Sequence, residues 1–205
     1  MSTKIIEGIY QILVPIPNNP LGNTNVYLVK GTKGHVLIDA GWNDEYAFMK
    51  LTQEFKEMGI GYKDISQILV THAHADHYGL VPQLRELTGA KVLMHHRDEE
   101  IFHTRYAVTD EFARQSEDWF RANGVPPHES SIRMPFGGGH PSMKHLEPDI
   151  KLNGGETIDT GLFQLQVIWT PGHSPGHICF YDARDKIFFS GDHILPVITP
   201  NIGLP

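Results

Sequence analysis

The sequence contains one cysteine, Cys179, among 205 residues. A lone thiol closes no internal disulfide, so the fold must rest on its core, and the usage fits a reducing compartment. Long hydrophobic runs are missing too: nothing approaches the roughly 18 apolar residues of a membrane span. The N-terminal MSTKIIEGIY lacks the apolar stretch and cleavage site of a signal peptide, which makes a cytoplasmic location the expectation. Basic charge is scarce. Lys and Arg total 17 against 24 Asp and Glu, a formal net charge of -7, and no Lys/Arg run stands out. That balance argues against nucleic acid or an anionic membrane as partner and leaves a small-molecule substrate. There is no repeat and no low-complexity segment.

What the chain does have is enough length for one domain, residues 1–205, with a sizeable core. It also has 13 histidines, most of them without ligand-like spacing. The exception is Thr71–Gly79, THAHADHYG, which places His72, His74, Asp76 and His77 within six positions. An apolar run, Ile65–Val70, leads in and a helical pattern, Tyr78–Leu87, leads out. Ligands at a strand-to-helix bend can project into one cleft, and imidazole and carboxylate donors suit zinc, manganese or iron.

Around this stretch the pattern alternates strand and helix. Ile5–Val14, Thr24–Val29 and His35–Ile38 read as strands, the last running into Asp39-Ala40-Gly41. Asn43 is the expected N-cap of a helix whose apolar stripe is Phe48, Leu51, Phe55 and Met58. Leu80, Leu84 and Leu87 are expected to face the core from the next helix, before a strand at Ala90–Met94. Strand, helix, strand in this order implies a right-handed parallel crossover. From His95 to about Glu147 the pattern changes to a partly helical insertion over the cleft, with helices expected at Glu99–Arg105 and Asp110–Asn123. Its isolated histidines, His95, His96, His103, His140 and His145, are expected at surface or lid positions. Leu152–Ile158, Phe163–Ile168, His177–Tyr181 and Lys186–Phe189 complete the strands. Two β-rich halves with helices outside give a layered α/β arrangement.

Two further motifs sit at strand ends: TPGHSPGH, Thr170–His177, and SGDH, Ser190–His193. Polar residues gathered at one sheet edge mark a ligand cleft. Together HAHADH, TPGHSPGH and SGD, with the LIDAG strand end before them, resemble the metallo-β-lactamase superfamily, the αββα metallohydrolases that include glyoxalase II. The resemblance runs through almost the whole chain in the family's order. It implies a four-layer αββα sandwich and a two-metal site, zinc first, with manganese or iron as alternatives. His72, His74 and His173 would hold the first metal. Asp76 and His77 would hold the second, and Asp192 would bridge both. Asp39 would orient ligands through hydrogen bonds. Asp76 would also position the nucleophile and pass a proton to the leaving group. His177 reads as a structural hydrogen-bonding residue, Cys179 as a buried inert thiol, and ligation by His193 is disfavoured because strand neighbours point opposite ways.

The family pattern carries one more histidine on a later strand, and nothing after Asp192 matches it. The C-terminal elements are therefore expected to be missing, with the second metal site left incomplete. The implied activity is hydrolysis of an ester, thioester, lactone or phosphoester. Two other readings stay open. One is a mononuclear iron oxidoreductase of the persulfide dioxygenase type, built on a facial triad such as His72, His173 and Asp192. The other is a fragment that folds without turning anything over.

Overall fold

The computed structural model describes residues 2–102, 114, 118–119, 121–125 and 145–202. Most of the expected insertion falls outside them, including His103 and His140 and much of the helix expected at Asp110–Asn123.

Seven strands form the first sheet in chain order: β1 (Thr3–Ile6), β2 (Ile9–Pro15), β3 (Asn23–Val29), β4 (His35–Ile38), β5 (Ile65–Leu69), β6 (Lys91–His95) and β7 (Ile150–Leu152). The first four pair antiparallel, and β4 to β7 pair parallel. The single strand expected at Ile5–Val14 is really two, because Gly8 at φ +88° turns β1 back onto β2.

Helix α1 (Glu45–Glu57) crosses from β4 to β5. Its N-cap is Asp44 rather than Asn43: the Asp44 carboxylate accepts from the backbone N–H groups of Tyr46 and Ala47. Leu51 and Phe55 are buried beneath it, each contributing about 1.5–3 kcal/mol over an exposed position. The expected helix after the histidine motif is two pieces, α2 (Ala75–Tyr78) and α3 (Val81–Thr88). Leu80 and Leu84 are buried, but Leu87 is 37% exposed on the outer side of α3. A short helix, α4 (His96–Ile101), follows β6, where a helix from Glu99 to Arg105 was expected.

The second sheet is an antiparallel meander of β8 (Thr157–Asp159), β9 (Gln164–Trp169), β10 (Ile178–Asp182) and β11 (Ile187–Phe189). The stretch Leu152–Ile158, expected as one strand, divides between the sheets: β7 closes the first and β8 opens the second. Gly154 and Gly155, at φ +97° and +95°, make that transfer, and a Cβ on Gly154 would press against Trp169.

Two cores separate the layers. Val26, Leu28, Leu37, Ile68, Val92 and Met94 point from the first sheet to α1 and α3. Their neighbours Val29, Val36, Ile38, Leu69 and Leu93 point the other way, onto Leu165, Val167, Ile178 and Phe180 of the second sheet. A sheet buried on both faces needs such continuous apolar runs. The resulting helix–sheet–sheet order is that of the αββα sandwich the motifs imply.

Candidate metal centre

Three adjacent parallel strands deliver polar residues at their C-terminal ends. Asp39 follows β4, the histidine motif follows β5 and Asp98 lies just beyond β6. From the second sheet, His173 follows β9 and Asp192 follows β11. The sheets are joined at this edge, where the Ile178 N–H donates to the Thr71 carbonyl at 2.9 Å.

His72, His74 and His173 converge. His72 Nε2 lies 3.0 Å from His74 Nδ1 and 3.2 Å from His173 Nε2, and the latter two atoms are 2.9 Å apart. Asp192 spans both halves of the site with separate oxygens: Oδ1 is 3.2 Å from His77 Nε2 and Oδ2 is 3.4 Å from His173 Nε2. Asp76 stands at the margin, with Oδ2 3.5 Å from His77 Nε2 and accepting from Thr24 Oγ1 at 3.4 Å. Among the described residues, donor atoms compact enough to share one ion form two sets, His72–His74–His173 and His72–His77–Asp192. His72 thus belongs to both, and Asp76 to neither.

Hydrogen bonds on the far side of each ring fix which nitrogen carries the proton. Asp39, a carboxylate with acceptors only, takes bonds from the Thr71 N–H at 2.8 Å, the Thr71 hydroxyl at 2.8 Å and His77 Nδ1 at 2.7 Å. With its only proton given to Asp39, Thr71 Oγ1 accepts from His72 Nδ1 at 3.0 Å. His173 Nδ1 donates to the Asn201 carbonyl at 2.8 Å. The inward Nε2 atoms of His72 and His173 are therefore lone pairs aimed at one another, while His77 Nε2 faces the Asp192 and Asp76 carboxylates and carries a proton when no metal is present. Lone pairs this close repel unless a cation lies among them, so the residues present fit a metal. Asp39 itself is held at φ +60°, a left-handed conformation that aspartate tolerates better than most residues.

The electrostatics agree. Burial, with the neighbouring imidazoles adding to it, pushes His72 well below the usual histidine range, and His74 falls to about 4 for the same reasons. Burial works against a charged His77 as well, but the Asp76, Asp39 and Asp192 carboxylates outweigh it and raise that group. Burial opposes ionisation of Asp192, yet its hydrogen bond from His77 and the surrounding imidazoles bring it down to about 2. At neutral pH the metal-free site thus offers neutral His72 and His74 and an ionised Asp192, the states a metal requires, while His77 keeps a proton that a metal would displace.

His177 does what was expected of it. Its Nε2 accepts from the Asp192 N–H at 3.1 Å while Nδ1 contacts Thr170 Oγ1 at 2.8 Å, and burial lowers its pKa to about 3. A Cβ at Gly191 would lie 2.6 Å from His177 Nε2, so glycine there permits the approach. Cys179 is buried with its thiol bonded to the Ser190 carbonyl, and His193 is exposed. His95 is a correction: rather than a surface residue it is 1% exposed, caps α4 and stacks on Trp169 with ring centres 5.2 Å apart.

The sequence reading also missed Asp98. This buried carboxylate accepts from the Ala73 N–H at 2.7 Å, the Ser174 hydroxyl at 2.8 Å and the Gly176 N–H at 2.5 Å. Its position after β6, next in line to Asp39 and the histidine motif, was the available signal.

The metallo-beta-lactamase superfamily model matches residues 19–205, across all of these motifs. The chain belongs to the metallo-beta-lactamase superfamily. Within that superfamily it is similar to the crystal structure of family protein TTHA1429 from Thermus thermophilus, with a TM-score of 0.78 and 31% identity over 98% of this chain and 64% of that one. It is 30% identical to the human acyl-coenzyme A thioesterase MBLAC2 over 82% of this chain and 57% of the relative. It is 27% identical to the hydroxyacylglutathione hydrolase GloC of Haemophilus influenzae over 78% of this chain and 61% of the relative. The chain therefore spans roughly three fifths of the length of these proteins. Among the described residues, no helix of this superfamily member is long and apolar enough to cross a membrane.

Proposed function

We propose that this chain is a metal-dependent hydrolase, with zinc as its metal, that directs an activated water at an ester, thioester, lactone or phosphoester. The observation that carries the reading is the convergence of unprotonated ring nitrogens of His72 and His173 with His74 Nδ1 beside Asp192. His72, His74 and His173 would hold one ion, His77 and Asp76 a second, and Asp192 would link the two. When bound there, the metal lowers the pKa of a coordinated water towards 7 and polarises the substrate's carbonyl or phosphoryl oxygen. Asp39 keeps His77 oriented and, through Thr71, His72. Asp76, at the margin of the donor sets, is placed to orient the attacking water and hand a proton to the leaving group.

A cavity of about 820 Å³ opens beside Asp76, His77 and Asp192 and is walled by Ile16, Leu21, Ile194, Val197 and Ile198. That volume and apolar lining accommodate a small organic substrate. The names of two relatives, an acyl-coenzyme A thioesterase and a hydroxyacylglutathione hydrolase, favour acyl transfer to water within the wider class.

Elemental analysis, paired with hydrolysis assays on thioesters, aryl esters, lactones and phosphodiesters, tests the proposal. The wild type should carry zinc and turn over at least one class, and the double variant His72→Ala/His74→Ala should lose metal and turnover together. Retained turnover in that variant overturns the reading. Iron in the purified protein, with sulfur-dependent oxygen uptake, would instead select the dioxygenase chemistry that a His72, His173 and Asp192 triad permits.

A further inference from the structure

Asp98 is fully buried in the first turn of α4, and among the described residues no lysine or arginine pairs with it. A buried carboxylate without a cationic partner is costly unless hydrogen bonds satisfy it. Among the described residues, the three hydrogen bonds to the Asp98 carboxylate come from the two loops that carry the first donor set. Ala73 lies between His72 and His74, while Ser174 and Gly176 follow His173. His72 and His173 are 101 positions apart in the chain, so something other than sequence proximity must set their separation. Gly176 is suited to this contact, because a Cβ there would collide with the Asp98 backbone nitrogen and carboxylate.

We propose that Asp98 is a positioning residue that ties the His72–His74 loop to the His173 loop and so assembles the three imidazoles before any metal arrives. The inference rests on the metal reading of those histidines and deepens it. Asp98 is not itself placed among the donors. It acts by accepting from two backbone amides and a hydroxyl, one oxygen serving Ala73 and Ser174 and the other serving Gly176. An asparagine in its place keeps the shape but turns one acceptor into a donor facing an N–H or hydroxyl, so at least one loop is released.

The test compares wild type with Asp98→Asn in two measurements. Zinc affinity by competition with a chromogenic chelator should fall about 10- to 100-fold. Amide hydrogen exchange on the zinc-free proteins should accelerate about tenfold or more at Ala73 and Gly176, with the β10 amides unchanged. A folded Asp98→Asn protein with zinc affinity within about twofold of wild type and unaltered exchange at both amides overturns the proposal. If that variant does not fold, Ser174→Ala takes its place. It should weaken zinc binding and speed Gly176 exchange, and no change in either overturns the clamp. Folded wild-type protein that takes up no metal would sink the metal reading, while the zinc-free exchange data would still decide whether Asp98 holds the loops.

Discussion

At the scale of single residues, the site is a set of histidines whose protonation is dictated from behind. Asp39 and Thr71 set the proton on His72 and His77, and burial keeps His177 neutral, with its Nε2 accepting the Asp192 amide. A pH dependence follows for the metal-free protein. His74 is depressed to about 4 and His177 to about 3, against about 6.5 for histidine in the unfolded chain. Between those values the unfolded state binds more protons, so the stability these two contribute is complete above pH 6.5 and is lost as pH falls towards 4. His77 has the opposite sign: its raised pKa adds stability below 6.5 that is lost as pH rises through its folded value. Asp192, held at about 2, enters only below about pH 4. The thermal midpoint of chelator-treated protein should drop from pH 6.5 to 4, because His72, also held well below the usual range, adds to His74 and His177 while His77 acts mainly above pH 6.5. A midpoint that stays level or climbs over that range would contradict the assignment of neutral imidazoles.

At the scale of elements, the ends of β4, β5, β6, β9 and β11 bring the polar groups together and the connections behind them keep the geometry. Helix α1 packs Leu51 and Phe55 under the sheet whose edge bears Asp39 and the histidine motif. Its start depends on the Asp44 carboxylate, bonded to the Tyr46 N–H at 2.9 Å and the Ala47 N–H at 3.3 Å. Asp44→Ala should cost about 1 kcal/mol in urea unfolding while leaving metal content unaltered. An unchanged urea midpoint would shift the capping role elsewhere, to Asn43 for instance. In the break between α2 and α3, a Cβ at Gly79 would collide with the Ala75 carbonyl oxygen.

At the scale of the whole molecule, the two half-sites are unequal. The first set joins three imidazoles with an Asp192 oxygen close by; the second has His77 and Asp192 but shares its remaining donor, His72, with the first, and Asp76 lies further out at 3.5 Å from His77. We expect a zinc titration against a competing chelator to resolve a tight phase and a weaker one. His74→Ala should remove the tight phase and His77→Ala the weak one. Two full equivalents retained by the wild type after mild chelation would refute this order of affinities.

Sequence by itself determined the layered α/β class, the concentration of candidate ligands in Thr71–Gly79 and the two later motifs, and the kind of ligand those residues suit. It could do so because strand and helix periods, turn glycines and donor-atom chemistry are local properties. Register and long-range contact are not local. The tertiary structure alone decided that Leu152–Ile158 splits between two sheets, and that His95 is buried against Trp169. It alone showed that His72 sits in both donor sets and that one carboxylate, Asp98, links loops far apart in the chain. In each case the deciding contact joins residues distant in sequence, where no pattern within a window can register it.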